Sequence, residues 1–143
     1  MLSRLKQVAV VVQDLDRAVR FYRDTLGMQF LFQAPPGLAF FDLSGVRLML
    51  DKPSEPLPAG VGTSILYYDV DDIHASHATL VERGVRFDEA PHRIASLGDR
   101  DIWMGAFRDS EGNVLALMSE VLTGPSRPTG SPPPASPARS SER

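Results

Sequence analysis

The sequence predicts an α+β fold assembled from two copies of one strand–helix–strand–strand–strand unit. Three observations carry that expectation. Val12-Gln13-Asp14-Leu15, a helical stretch and Gly27 recur as Val70-Asp71-Asp72-Ile73, another helical stretch and Gly84. Both copies open on an apolar run, Leu5 to Val12 and Thr63 to Val70, rich in the Val, Ile and Tyr that strands favour. Both also close on a glycine followed by apolar residues, from Gly45 to Leu50 and from Gly112 to Met118.

Each element has a local cause. Asp14 and Asp72 follow the opening strands and can accept hydrogen bonds from first-turn amides that a helix leaves unpaired. In the first helix Leu15, Ala18, Val19, Tyr22 and Leu26 form one apolar stripe, and Gly27 can adopt the left-handed stop. The second helix carries Ile73, His77, Leu80 and Val81 on its expected inner side and ends at Gly84. Short strands are predicted at 28–33, 38–43 and 46–51, then at 85–87, 101–107 and 113–119. An inserted loop, 88–99, is expected in the second unit only. A ferredoxin-like βαββαβ arrangement is the rival topology, and the repeat length argues against it. With one helix per four strands, each sheet keeps a free face, and two such sheets can curve around a cavity.

The 143 residues are 43% hydrophobic and 23% charged, the balance of an ordinary globular domain. The expected organisation is one domain over 1–122, with module one at about 3–52, a Pro-rich linker at 53–60 and module two at about 61–121. Residues 123–143 read as a disordered tail, since they hold six of the twelve prolines and nothing apolar larger than alanine. The net charge of -3 includes a tail at +2, so the body is acidic, which disfavours nucleic acid and anionic membranes as partners. The absence of cysteine removes thiolate ligands, thiol nucleophiles and disulfides. With no apolar stretch long enough for a membrane span or a secretory leader, a cytoplasmic protein is expected.

Two segments, VVVQDLDRAVRFYRDTLGMQF at Val10 to Phe30 and FRDSEGNVLALM at Phe107 to Met118, resemble the vicinal oxygen chelate superfamily. That group includes glyoxalase I, methylmalonyl-CoA epimerase, extradiol dioxygenases, and the fosfomycin and bleomycin resistance proteins. The resemblance covers Ser3 to Val121. It implies two βαβββ modules forming a U-shaped open barrel around a cavity, commonly completed by a homodimer. In catalytic members a metal ligand lies on the first strand of each module, seven residues before the helix cap, and another on the last strand, four residues after the hairpin glycine. Those positions are occupied here by Gln7, Met49, Ile65 and Ala116. A divalent catalytic ion needs about three or more protein donors, and this set offers one amide oxygen and one thioether. No metal and no cofactor are therefore expected.

Strand alternation then names the neighbours of those positions on the cavity face. Arg47, Tyr67 and Met118 join Gln7, Met49, Ile65 and Ala116 as expected ligand-binding residues, with Trp103 and either Phe40 or Phe41 as an aromatic wall. An inward-facing Arg47 would need a carboxylate from a ligand or from Asp51; a surface pair with Asp51 is the bland alternative. Among the histidines, His74 is expected in solvent, His77 as a packing residue, and His92 on the inserted loop. The expected function is small-molecule binding without a metal, on a glyoxalase-like or bleomycin-resistance-like scaffold. The alternative is a lyase, isomerase or dioxygenase whose ligands have moved to Gln7 with Asp51, Asp69, Asp101 or His92.

Overall fold

The computed structural model describes residues 1–55 and 64–123. Most of the expected linker and nearly all of the expected tail lie outside them. In the first module β1 (Gln7–Val11) leads into α1 (Leu15–Arg20), which continues as one π-helical turn, Phe21–Thr25. β2 (Gln29–Ala34), β3 (Leu38–Leu43) and β4 (Val46–Asp51) follow. The second module repeats the order as β5 (Leu66–Asp69), α2 (Ile73–Glu82), β6 (Phe87–Ser96), β7 (Arg100–Arg108) and β8 (Val114–Leu122). No helix among the described residues is long and apolar enough to cross a membrane.

Each module forms its own four-stranded sheet, in the orders β1-β4-β3-β2 and β5-β8-β7-β6. The first strand of each module lies parallel to the last, and the other pairs are antiparallel. This wiring is identical in the two copies, as the repeat requires, and it excludes the ferredoxin-like rival. The sheets do not close into a barrel.

The local signals act as expected at the helix starts. Asp14 accepts from the amide of Arg17 at 3.0 Å, and Asp72 from that of Ala75 at 3.1 Å. Ala18, Val19 and Tyr22 are buried with Phe41, Leu48 and Leu50, while Ile73 and Leu80 are buried with Phe107, Leu115 and Leu117, so the helix-covered faces of both sheets supply one core. Two expectations change. Val81 is exposed, because α2 turns Ile73 and Leu80 inward and leaves Val81 off that stripe. The inserted stretch is not a loop: β6 extends through it, pairing with β7 across three register irregularities. Bulges absorb the residues that disturb simple alternation, so this strand escaped periodicity.

Candidate functional site

In the first sheet the pairings Gln7 with Arg47, Ala9 with Met49, and Phe40 with Met49 place Gln7, Arg47, Met49 and Phe40 on the face away from the helix. Phe41 lies on the opposite face, fully buried. Arg47 is held on the open face by donating from Nε to Oε1 of Gln7 at 2.6 Å, with its guanidinium carbon 5.6 Å from the Phe40 ring centre. The Gln7 amide in turn donates from Nε2 to the Met49 sulfur at 3.8 Å. The inward-facing Arg47 is thus satisfied by a neutral amide and an aromatic face, and the pair considered with Asp51 does not form.

Phe32 completes this group, and alternation along β2 would not have found it. Leu31 is bulged, so Phe30 opposes Phe41 on the helix side while Phe32 opposes Phe40 on the open side. Without the bulge, residues 30 and 32 would share a face. Phe32 stacks on Phe40 with ring centres 4.8 Å apart and is 50% exposed.

The second sheet holds the other expected residues. Tyr67 pairs with Ala116 and Asp69 with Met118, which puts these four on its open face. Tyr67 is 51% exposed, whereas Ala116 is fully buried beneath its neighbours. Ile65, just before β5, is 43% exposed. A depression of about 460 Å³ beside them is lined by Tyr67, Asp69, Val70, Asp71, Met118 and Glu120. Gln7, Arg47 and Met49 therefore form one group and Tyr67, Ala116 and Met118 another, each held within its own sheet.

Trp103 joins neither group. It pairs with Ser119, two residues along from Gly105 and Leu117, on the helix-covered side of the sheet. There it packs against the core and meets the His74 ring edge-on at 5.1 Å. The expected aromatic wall is supplied by Phe40 and Phe32 instead, and His74, although exposed as a residue, is a packing partner rather than a freely solvated side chain. His77 packs as expected, its ring 4.5 Å from that of Phe87. His92 sits on the edge strand β6 with Nδ1 2.8 Å from the carbonyl of Ala90.

The residues present do not fit the metal centre that the fold implies. The one hard oxygen among the four equivalent positions, that of Gln7, accepts from Arg47, and Met49, Ile65 and Ala116 offer a thioether and hydrocarbon. The alternative donors are scattered: Asp51 lies on the open face of the first sheet and Asp69 on that of the second. Asp101 lies on the helix side near Arg93 at 3.7 Å, and His92 is at the edge. Among the described residues no group of three or more His, Asp or Glu side chains is placed to hold an ion.

A polar cluster in the β7–β8 hairpin joins the two modules. Glu111, in the β7–β8 loop, accepts from the backbone amides of Gln13 and Asp14, both at 2.9 Å, and from Arg17 at 2.7 and 3.0 Å. Burial alone would raise the pKa of this carboxyl, but the Arg17 guanidinium and the amides of Asp14 and Gln13 outweigh that and hold it at about 2. Asp109 accepts from the Tyr22 hydroxyl at 2.6 Å, and Asn113 donates to the carbonyl of Val11 at 3.0 Å. Burial and the neighbouring Asp109 carboxylate push the Tyr22 hydroxyl far above its ordinary pKa, so it stays a donor. The available signal was the unmatched carboxyl of Glu111 in a turn that also holds Asp109 and Asn113, both frequent backbone-binding residues.

Residues 4–117 match the profile of the Glyoxalase/Bleomycin resistance protein/Dioxygenase superfamily. The chain is 25% identical over 130 residues to the uncharacterized protein YraH of Bacillus subtilis (strain 168), covering 80% of this chain and 96% of that protein. Among solved structures it is similar to a lactoylglutathione lyase from Agrobacterium tumefaciens, at TM-score 0.67 and 23% identity, over 82% of this chain and 93% of the other. It is also similar to a superfamily member from Sphaerobacter thermophilus DSM 20745, at TM-score 0.68 and 23% identity, over 83% and 98% of the two chains. At these identities the solved structures speak for the fold alone. The paired βαβββ wiring and the profile match lead to one conclusion: this chain belongs to the Glyoxalase/Bleomycin resistance protein/Dioxygenase superfamily.

Proposed function

We propose that the protein binds a small organic molecule on the open sheet faces without the help of a metal ion. The observation that carries this is the occupation of Gln7: its oxygen is engaged by Arg47 at 2.6 Å, while the three equivalent positions offer no hard donor. What surrounds it suits a guest with an aromatic or apolar body. Phe32, Phe40 and Met49 provide one apolar patch, Tyr67 and Met118 another, and the depression beside Tyr67 is rimmed by the carboxylates of Asp69, Asp71 and Glu120. An acidic rim together with aromatic surface favours neutral or cationic guests over anions.

Thermal-shift measurements test the reading. Aromatic antibiotics with a basic group are expected to raise the melting temperature, and Arg47→Ala and Tyr67→Ala are expected to reduce that rise. Zinc, nickel, manganese and ferrous ions alone are expected to leave it unchanged. A metal-dependent rise accompanied by turnover of a thiol adduct or a catechol would replace binding with catalysis.

We further propose that the protein works as a homodimer. Phe32, Ile65 and Tyr67 are between 43% and 51% exposed on or beside the open faces, and a second copy facing them would bury part of the apolar surface that one chain leaves in water and enclose the guest between the two chains. Sedimentation velocity is expected to give twice the chain mass at micromolar concentration, and Phe32→Glu to shift the species toward monomer.

A further inference from the structure

A second cavity lies between the modules, on the helix side of the sheets and therefore away from the open faces. Its volume is about 410 Å³, within the range of small-molecule sites and far above the voids of a packed core. The wall from the first module is Leu26, Met28 and Leu43; the wall from the second includes Tyr68, Leu80 and Leu117. Ala75, Thr79 and Arg83, four residues apart on one stripe of α2, also line it and are exposed as residues, so the cavity opens along the helix. The Tyr68 hydroxyl is buried with no partner among the described residues, so this wall is not a finished core.

Arg83 sets the chemistry of the polar end. It caps α2, and its Nη1 donates across the module boundary to the carbonyl of Thr25 at 2.9 Å, in the last turn of the first helix. A guanidinium has five N–H donors, and the one contact described uses a single one. Two helix C-terminal ends meet at this point, and their unpaired carbonyls carry partial negative charge that opposes an incoming anion, while Arg83 keeps its full positive charge. The mouth thus offers hydrogen-bond donors beside two sets of helix-end carbonyls, and a neutral carbonyl group uses those donors without the repulsion that a carboxylate meets from the helix ends. We propose that this cavity is a binding site for a neutral apolar compound bearing one carbonyl acceptor, the ketone, ester and lactone class, with Arg83 as donor and the inter-module wall around the hydrocarbon part.

Calorimetric titration of the full-length protein with γ-decalactone and, separately, with sodium decanoate tests this. The lactone is expected to bind one per chain and at least fivefold tighter than the carboxylate. Thr79→Phe and Ala75→Phe, which fill the cavity from exposed helix positions, are expected to abolish lactone binding while circular dichroism stays unchanged. Arg83→Met keeps the apolar stem, removes the donors, and should weaken the lactone fivefold or more. Arg47→Ala, on the open face, should leave lactone affinity within twofold. No binding by the native protein, decanoate binding tighter than the lactone, or unaltered lactone affinity in either filled variant or in Arg83→Met would each overturn the proposal. Loss of the lactone in Arg47→Ala would overturn it too, moving the guest to the open face.

Discussion

The two hairpins that precede the last strand of each module occupy equivalent places in the repeat and do opposite things. Between β3 and β4 the chain turns through Ser44 and Gly45, both at positive φ (53° and 97°) and both exposed, a two-residue reversal. Between β7 and β8 it runs through Asp109 to Asn113, and Asp109 and Glu111 bring carboxylates to the other module. Asp109 accepts from the amides of Glu111 and Asn113, from the Asn113 side chain, all at 2.8 Å, and from Tyr22 at 2.6 Å. The repeat therefore supplies the same wiring twice, while a few additional loop residues of the second copy add a polar joint to the shared core and the Arg83–Thr25 contact. That joint positions both the open faces and the cavity between the modules, so it should dominate stability out of proportion to its size.

The largest effect is expected at the centre of the joint. Asp109→Ala strips the partner from a buried tyrosine hydroxyl and an asparagine amide, and should cost about 3–5 kcal/mol in urea denaturation. A loss below about 1 kcal/mol would show that the loop merely rests on the first module.

Glu111→Gln comes next, at about 2–3 kcal/mol near neutral pH. Its pH dependence sharpens the comparison. The fold lowers the carboxyl from its ordinary 4.5 to about 2, so it favours the ionised form. That contribution is complete above about pH 4.5 and is lost as the pH falls through about 2. Native protein and Glu111→Gln should therefore converge in stability across this window, and parallel curves would deny the Arg17 pairing its role.

The smallest effects bring the hairpins back to equivalence. Gly45 and Gly112 both have positive φ, at 97° and 87°, and an added Cβ at either would meet nothing within 4 Å. Ala at each should cost about 1 kcal/mol through backbone conformation alone. A much larger loss at Gly112 would mean that its substitution also strains the docked loop.

Much of the fold was legible because its signals are local. The aspartate caps, the apolar stripe of α1, the glycine stops and the near-repetition of whole segments each act over a few residues, and the observed topology follows them twice. The candidate site was partly legible through the superfamily resemblance: it pointed to Gln7, seven residues before Asp14, and to Met49, four after Gly45, and strand alternation added Arg47 to the same face, where the three touch. Counting failed where register intervened. The β7–β8 pairing sets Trp103 opposite Ser119 on the core side, and no feature within β7 announces that offset. The bulge at Leu31 carried Phe32 to the open face against simple alternation.

By itself, then, the order of residues determined the two βαβββ units, because periodicity and capping are properties of short stretches, and through the resemblance of two such stretches to the superfamily it also marked Gln7, Met49, Ile65 and Ala116 as positions poor in metal donors. Tertiary structure decided which aromatics face outward, that Gln7 is spent on Arg47, and that Glu111 reaches some ninety residues back to clasp Arg17 at 2.7 Å. Those outcomes depend on where strands slide and where a loop lands. Both are set by the simultaneous packing of distant elements around one core rather than by any segment alone.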